Sequence, residues 1–366
     1  MLVNITPQRN NIYSYSPQYK KGSVAFCGVN VNAASEKGLH GFEYGLRIIG
    51  NKFADLFTSK KNKFITKCIS LVKPEQNKKY LDILEEISNY YSSTKQIGIN
   101  LEDKILEKIV QKDRPVIFIM SHSNQSEDPS MLAVLNTLLT KAYKAAGKEN
   151  SFPLPKIILN QDILTTMNPT RRKAFEAFGA VGIDANVFSA EKSTNVRAFL
   201  PLIKDFIKGK CNIFIFPEGK LAVKKYLPLH QRFQSGVAEI INKVLGIKKE
   251  VDVVPVGFAY GKGKDRIYTG MHIGEPVTFK RIGENTTITA GEIKDSEFAD
   301  PAAVNFFKKH DDQTDVVITS NGVPLKPSET TSYIKEMLSE NLLVCSKKAE
   351  INVLNPVNKD EIIKII

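Results

Sequence analysis

A mixed, mostly parallel α/β sheet with helices on both faces is the fold class this sequence predicts, on three observations. Two short apolar runs, Val116-Ile117-Phe118-Ile119-Met120 and Asn212-Ile213-Phe214-Ile215-Phe216, are rich in β-branched and aromatic residues and too short for a typical helix, so each reads as a buried strand. Between and after them, strand-like runs alternate with segments of helical period, the pattern of a sheet covered by helices. Each run also ends in polar chemistry, Ser121-His122 after the first and Pro217-Glu218-Gly219 after the second. In open α/β sheets the carboxyl ends of the strands are where ligands and reactive side chains collect.

Taken in order, the chain begins with a polar stretch over residues 1–40, rich in Asn, Ser, Gln, Gly and Tyr and without sustained periodicity, which predicts a loosely ordered lead segment. Residues 41–100 read as a basic amphipathic helical segment, with Glu43 to Ser93 helical. Leu46, Ile49, Phe53, Leu56 and Phe57 recur at helical spacing there, and Lys52, Lys60, Lys61, Lys63 and Lys67 are interleaved with them. An α/β domain is expected over 101–290. It comprises a helix Leu101 to Lys112, strand Val116 to Met120, helix Pro129 to Ala146, strand Lys156 to Leu159, helical Arg171 to Phe178, strand Val181 to Ile183, helix Ala190 to Lys208 and strand Asn212 to Phe216. Helix Ser235 to Leu245 and strands Val251 to Tyr260, Ile267 to Ile273 and Val277 to Arg281 complete it. The extension 291–366 carries helices near Ala302 to Lys309 and Ser328 to Leu343, with no role assigned from sequence.

Composition bounds the function. With 366 residues, 42% of them hydrophobic, the chain can bury a sizeable core. No apolar stretch approaches the ~20 residues that span a bilayer, and Met1 to Gln18 lacks the apolar region of a secretory signal, so a cytoplasmic protein is expected. Cys27, Cys68, Cys211 and Cys345 are scattered without metal-ligand or disulfide spacing and read as reduced structural thiols. The net charge of +12 calls for a negatively charged partner: nucleic acid, an anionic lipid surface or an acidic carrier protein. No nucleic-acid-binding motif accompanies the charge, so no nucleic-acid partner is expected. The basic amphipathic segment suits the inner face of an anionic membrane, lysines on headgroups and aromatic residues among acyl chains, and it suits a core-packed helix equally well.

Chemistry concentrates at the two strand ends. A histidine at one strand end with a carboxylate close behind, His122 and then Asp128, is a candidate general base with its orienting acid. Asp128 before Pro129 also fits the N-cap of a helix. Downstream follow Phe216-Pro217-Glu218-Gly219, Phe233-Gln234-Ser235-Gly236, Val253-Val254-Pro255-Val256 and Gly274-Glu275-Pro276-Val277. Over roughly Arg114 to Lys280, these segments in this order resemble the phospholipid/glycerol acyltransferases, the lysophosphatidate acyltransferase-like family with its His-x4-Asp motif and Phe-Pro-Glu-Gly turn.

The resemblance implies a glycerol-3-phosphate acyltransferase-like fold and transfer of a fatty acyl group from acyl-CoA or acyl carrier protein to a hydroxyl of glycerol 3-phosphate or a lysophospholipid. It implies no metal and no cofactor beyond the acyl-CoA or acyl-ACP co-substrate, with a lipid acceptor at an anionic membrane surface. Carried over residue by residue, His122 and Asp128 are the catalytic pair. Phe216, Pro217, Glu218, Gly219 and Lys220, with Arg232 nearby, form the substrate-binding set. Backbone amides near Gly219 are the candidates for holding the developing oxyanion, because glycine lets the main chain approach a ligand closely. Three departures stand out. Ser123, Asn124, Gln125, Ser126 and Glu127 separate His122 from Asp128, one more residue than the family spacing, so strict spacing would select Glu127. Lys220-Leu221 replaces the family's Thr-Arg, and Ala185 stands where an arginine is usual. The missing arginines keep open a non-phosphorylated lipid acceptor, and the spacing keeps open a catalytically inactive lipid-binding or scaffold protein of the same fold.

Overall fold

The computed structural model describes residues 3–4, 97–101, 105–122, 128–148, 151–166, 172, 175, 179–183, 192–218, 233–234, 236–262, 267–282, 285–294, 296–309, 316–320, 323–324 and 327–354. In chain order the strands are β1 (Val3–Asn4), β2 (Ile97–Leu101), β3 (Val116–Met120), β4 (Leu154–Asn160), β5 (Ala180–Ile183), β6 (Cys211–Ile215), β7 (Glu250–Lys262), β8 (Ile267–Ile273), β9 (Val277–Ile282), β10 (Asn285–Ile288), β11 (Val316–Ser320) and β12 (Val323–Pro324). The helices are α1 (Ile105–Gln111), α2 (Asp128–Ala145), α3 (Gln161–Thr166), α4 (Lys192–Ile207), α5 (Gly236–Lys248), α6 (Pro301–Lys309) and α7 (Pro327–Leu354).

The strands join one mixed sheet whose centre, β7-β3-β6-β4-β5, is parallel throughout. Antiparallel partners β8, β9, β10 and β11 extend it beyond β7. The central strands alternate their side chains between two cores, which is why both faces must be covered. Phe118, Met120, Phe214, Val254, Val256 and Phe258 point into a core built with Ile105 and Ile109 of α1 and Met131, Leu135 and Leu139 of α2. Ile117, Ile119, Ile213, Ile215, Val251 and Val253 point into the other, with α4, α5 and α7. Phe118 and Phe214 stack across β3 and β6 at a centroid distance of 4.8 Å.

Two sequence expectations need correction, the helix expected from Leu101 and the end of the last helix. The helix expected from Leu101 starts at Ile105, and Leu101 closes β2, which pairs in parallel with β8. Ile97-Gly98-Ile99-Asn100-Leu101 alternates apolar with small or polar residues, a strand period rather than a helical one. Within the loosely ordered lead segment, Val3–Asn4 pairs with Ile318–Thr319 of β11; the other residues of that segment, and the amphipathic helix expected over Glu43 to Ser93, lie outside the described residues. The last helix runs to Leu354 rather than Leu343, since Val344, Cys345 and Ala349 are fully buried beyond the expected end. Ile334, Leu338 and Leu342 of the same helix join the core of the parallel sheet, so residues of 291–366 help to build that core.

Pro255 sits inside β7 without disrupting it because β7 changes partner there. Up to Val253 it pairs with β9, and from Val256 with β8. A proline, lacking its N–H, is tolerated where the ladder hands over. The connection between β8 and β9 folds back to the same point, with the Gly274 amide donating to the Pro255 carbonyl at 2.9 Å. Among the described residues, no helix is long and apolar enough to cross a membrane.

Candidate active site

β3 is fastened to its neighbours at both ends. At its start the Val116 amide donates to Asn212 Oδ1 of β6 at 2.9 Å. Beside it, buried Asp252 of β7 accepts from Lys112 Nζ at 2.8 Å, Arg114 Nε and Thr278 Oγ1, while Arg114 also pairs with Glu250 at 2.7 Å. Burial works to raise the Asp252 pKa, but the bonds from Arg114, Lys112 and Thr278 win and hold it below the ordinary value. Paired in this way, a buried carboxylate is tolerated in the sheet.

At its carboxyl end, β3 leaves the ladder at Ser121. The Ser121 amide still donates to the Val256 carbonyl at 3.1 Å. Its hydroxyl then replaces the next main-chain partner, accepting from the Phe258 amide at 2.7 Å and lying 3.2 Å from the Phe258 carbonyl. The chain turns out of the sheet there and delivers His122, half-buried, above the strand ends. The β3–β6 register runs Ile117 to Ile213 and Ile119 to Ile215, so its continuation sets His122 opposite Glu218. The contact confirms this alignment: the His122 amide donates to Glu218 Oε1 at 3.1 Å, and Glu218 is only 4% exposed. The Phe216 ring lies 4.7 Å from the imidazole, centroid to centroid, tilted by 40°.

Other segments singled out in the sequence converge here. Phe233 is buried, and the Gln234 amide donates to the Pro217 carbonyl at 2.7 Å, which returns that segment to the β6 end before α5 begins at Gly236. Pro255 and Val256 stand beside Ile119 and Met120 in the neighbouring strand. Asp128 is the first residue of α2, so the chain passes from the end of β3 into this helix over residues 123–127. Pro129 follows in the first turn, where its missing N–H leaves no helical bond unmade. Of the sequence-predicted residues, His122, Phe216, Pro217 and Glu218 are brought together. Glu127, Gly219, Lys220 and Arg232 lie outside the described residues.

Sequence reasoning gave Ser121 no role, although a serine at the end of a buried apolar strand is the signal that could have found its ladder-ending hydroxyl. His272, to which the sequence assigned nothing, is fully buried with Nε2 3.4 Å from Glu292 Oε2, and Lys348 of α7 pairs with the same carboxylate. Glu292 Oε1 accepts the Glu275 amide at 2.7 Å. This second polar cluster ties α7 to the sheet. A surface groove of about 540 Å³ lies between α1 and the second half of α2, lined by Leu106, Val110, Leu138 and Ala142, which places it well away from His122. Cys211 and Cys345 are buried thiols, and burial pushes the Cys211 thiol up to about 12, as an unreactive structural thiol requires. No group of three or more His, Cys, Asp or Glu suited to a metal ion occurs among the described residues.

Compared with known proteins, the chain matches no family model and no curated sequence. Among solved structures it is similar to the 1-acyl-sn-glycerophosphate (LPA) acyltransferase PlsC from Thermotoga maritima, with 17% sequence identity and a TM-score of 0.37. That likeness covers 65% of this chain and 87% of the Thermotoga chain. With a TM-score below 0.5 the likeness is partial, and the functional reading stands on the residues of this chain.

Proposed function

We propose that this protein is an O-acyltransferase that moves a fatty acyl group from the thioester of acyl-CoA or acyl carrier protein to a hydroxyl of glycerol 3-phosphate or a lysophospholipid, at an anionic membrane surface. The observation that carries the reading is the meeting of His122 with the Phe216-Pro217-Glu218 turn across the carboxyl ends of β3 and β6. Motifs 96 residues apart in sequence form one constellation at the place where parallel sheets hold their reactive groups.

In this reading His122 takes the acceptor's hydroxyl proton as that oxygen attacks the thioester carbon. The carbon–sulfur bond then breaks, and the imidazolium returns the proton to the departing thiolate. Asp128, at the start of α2, orients the imidazole and balances its charge. Main-chain amides at the turn after Glu218 meet the oxyanion, and Lys220 and Arg232 meet the acceptor's head group. The basic segment between Glu43 and Val72 holds the protein to the anionic surface. A second acceptor class has its own observation: Lys220-Leu221 and Ala185 stand where the family carries phosphate-binding arginines, which favours a non-phosphorylated lipid hydroxyl.

The test is transfer from a labelled acyl thioester to a panel containing glycerol 3-phosphate, a lysophospholipid and non-phosphorylated lipid alcohols. His122→Ala, shown to be folded, should lose turnover by about a hundredfold or more. A folded His122→Ala protein with near-wild-type turnover overturns the mechanism. Absence of transfer to every acceptor by a wild-type protein that still binds the lipids selects the inactive scaffold instead.

A further inference from the structure

We infer that Glu218 is a positioning residue whose carboxylate holds the main chain of His122, in place of the substrate-binding role that the sequence resemblance assigns to it. The inference rests on the reading of His122 as the general base. Glu218 is 4% exposed, so its carboxylate faces the protein interior, and Oε1 is engaged by the His122 amide at 3.1 Å. A buried carboxylate is destabilising unless its oxygens are bonded, and a charge-assisted bond from a backbone amide is the stronger kind.

The geometry explains why a side chain is needed at this position. The paired register of β3 and β6 ends at Ile119 and Ile215, and His122 lies beyond it. Glu218 bridges that gap from the β6 side. From the β7 side Ser121 does so, through its amide to Val256 and its hydroxyl to Phe258. The backbone that carries the imidazole is therefore held between two strands, while its ring lies beside Phe216. A base displaced by about 1 Å can lose on the order of a hundredfold in rate, so fixing this main chain is catalytically significant without any contact to substrate.

The experiment compares Glu218→Ala and Glu218→Gln by steady-state kinetics and by hydrogen exchange of the His122 amide. Glutamine keeps a side-chain oxygen at the same reach and alanine keeps none. Glu218→Ala should lower kcat by roughly ten- to a hundredfold with the acceptor KM nearly unchanged. The His122 amide should lose protection in this variant while the amides of Ile117 and Phe118 keep theirs. Glu218→Gln should recover most of the lost kcat and most of the protection. Equal rises in acceptor KM for both variants, with the His122 amide still protected, would overturn the inference in favour of direct acceptor recognition. Should the alanine variant fail to fold, the glutamine variant alone still separates the two outcomes. The exchange measurement needs no turnover, so it tests the clamp even if His122→Ala shows that the acyl-transfer reading is wrong.

Discussion

At the residue scale, the decisive features are those that a sequence shows as residue types and a fold shows as neighbours. His122 and Phe216 to Glu218 were legible because a titratable or turn-forming group at the end of a buried strand is exceptional. Their pairing was not, because nothing local links positions 96 apart until β3 and β6 lie in register. In the proposed mechanism, the choice of acid partner turns on the extra residue after His122. In a pair in which an anion fixes the imidazole's tautomer, removing the charge of the true partner is far more damaging than removing that of a neighbour. With Asp128 opening α2, Asp128→Asn should lower kcat by about a hundredfold or more, while Glu127→Gln should change it by less than about threefold. The inverse ranking in the acyl-transfer assay would transfer the role to Glu127.

At the element scale, strands with continuous apolar runs were readable, and strands with little apolar content were not. β3 falls on the residues expected of it and β6 within one residue, since both are buried on both faces. β10, Asn285-Thr286-Thr287-Ile288, carries a single strongly apolar residue and owes its place to pairing with β9 and β11. The length of α7 was hidden by Lys347, Lys348 and Glu350, whose charges resemble the end of a helix, while Val344, Cys345 and Ala349 between and before them continue into the core. How closely α7 lies on β7 shows at Gly257, where a Cβ would collide with the Cys345 carbonyl and stand 2.6 Å from the Ser346 amide. Both neighbours are main chain and cannot rotate away. Gly257→Ala should therefore destabilise the protein by about 3 kcal/mol or more, as overpacking against an unyielding neighbour does. Gly246→Ala, in α5 with nothing within 4 Å of the new methyl group, should stabilise by about 0.5–1 kcal/mol. Chemical unfolding of the two variants checks the contrast, and similar shifts in both would show that α7 does not lie against β7 so closely.

At the scale of the whole molecule, two buried carboxylates fasten distant parts of the chain, Asp252 joining the start of β3 to β7 and β9, and Glu292 joining α7 to β8. Neither cluster could be read from sequence, because ordinary Lys, Arg, Asp and Glu become informative only when the fold removes them from water. Their effect should be visible in the pH dependence of stability. Burial works to raise the Glu292 pKa, but His272 and the Lys348 ammonium outweigh it, holding the carboxyl at about 2, below its ordinary 4.5. A carboxyl whose pKa is depressed by folding stabilises the native state above its unfolded value, and that stabilisation is lost as pH falls through the folded value. For Glu292 the contribution is complete above about pH 4.5 and disappears toward pH 2, with a full size on the order of 3 kcal/mol. Glu292→Gln keeps an oxygen for the Glu275 amide but removes the charge. Its melting temperature should lie well below that of the wild type at pH 7, and the two should converge as the pH approaches 2, where the wild-type carboxyl is protonated as well. A gap in melting temperature that stays constant from pH 7 down to pH 2 would show that Glu292 holds α7 by shape and neutral hydrogen bonding alone.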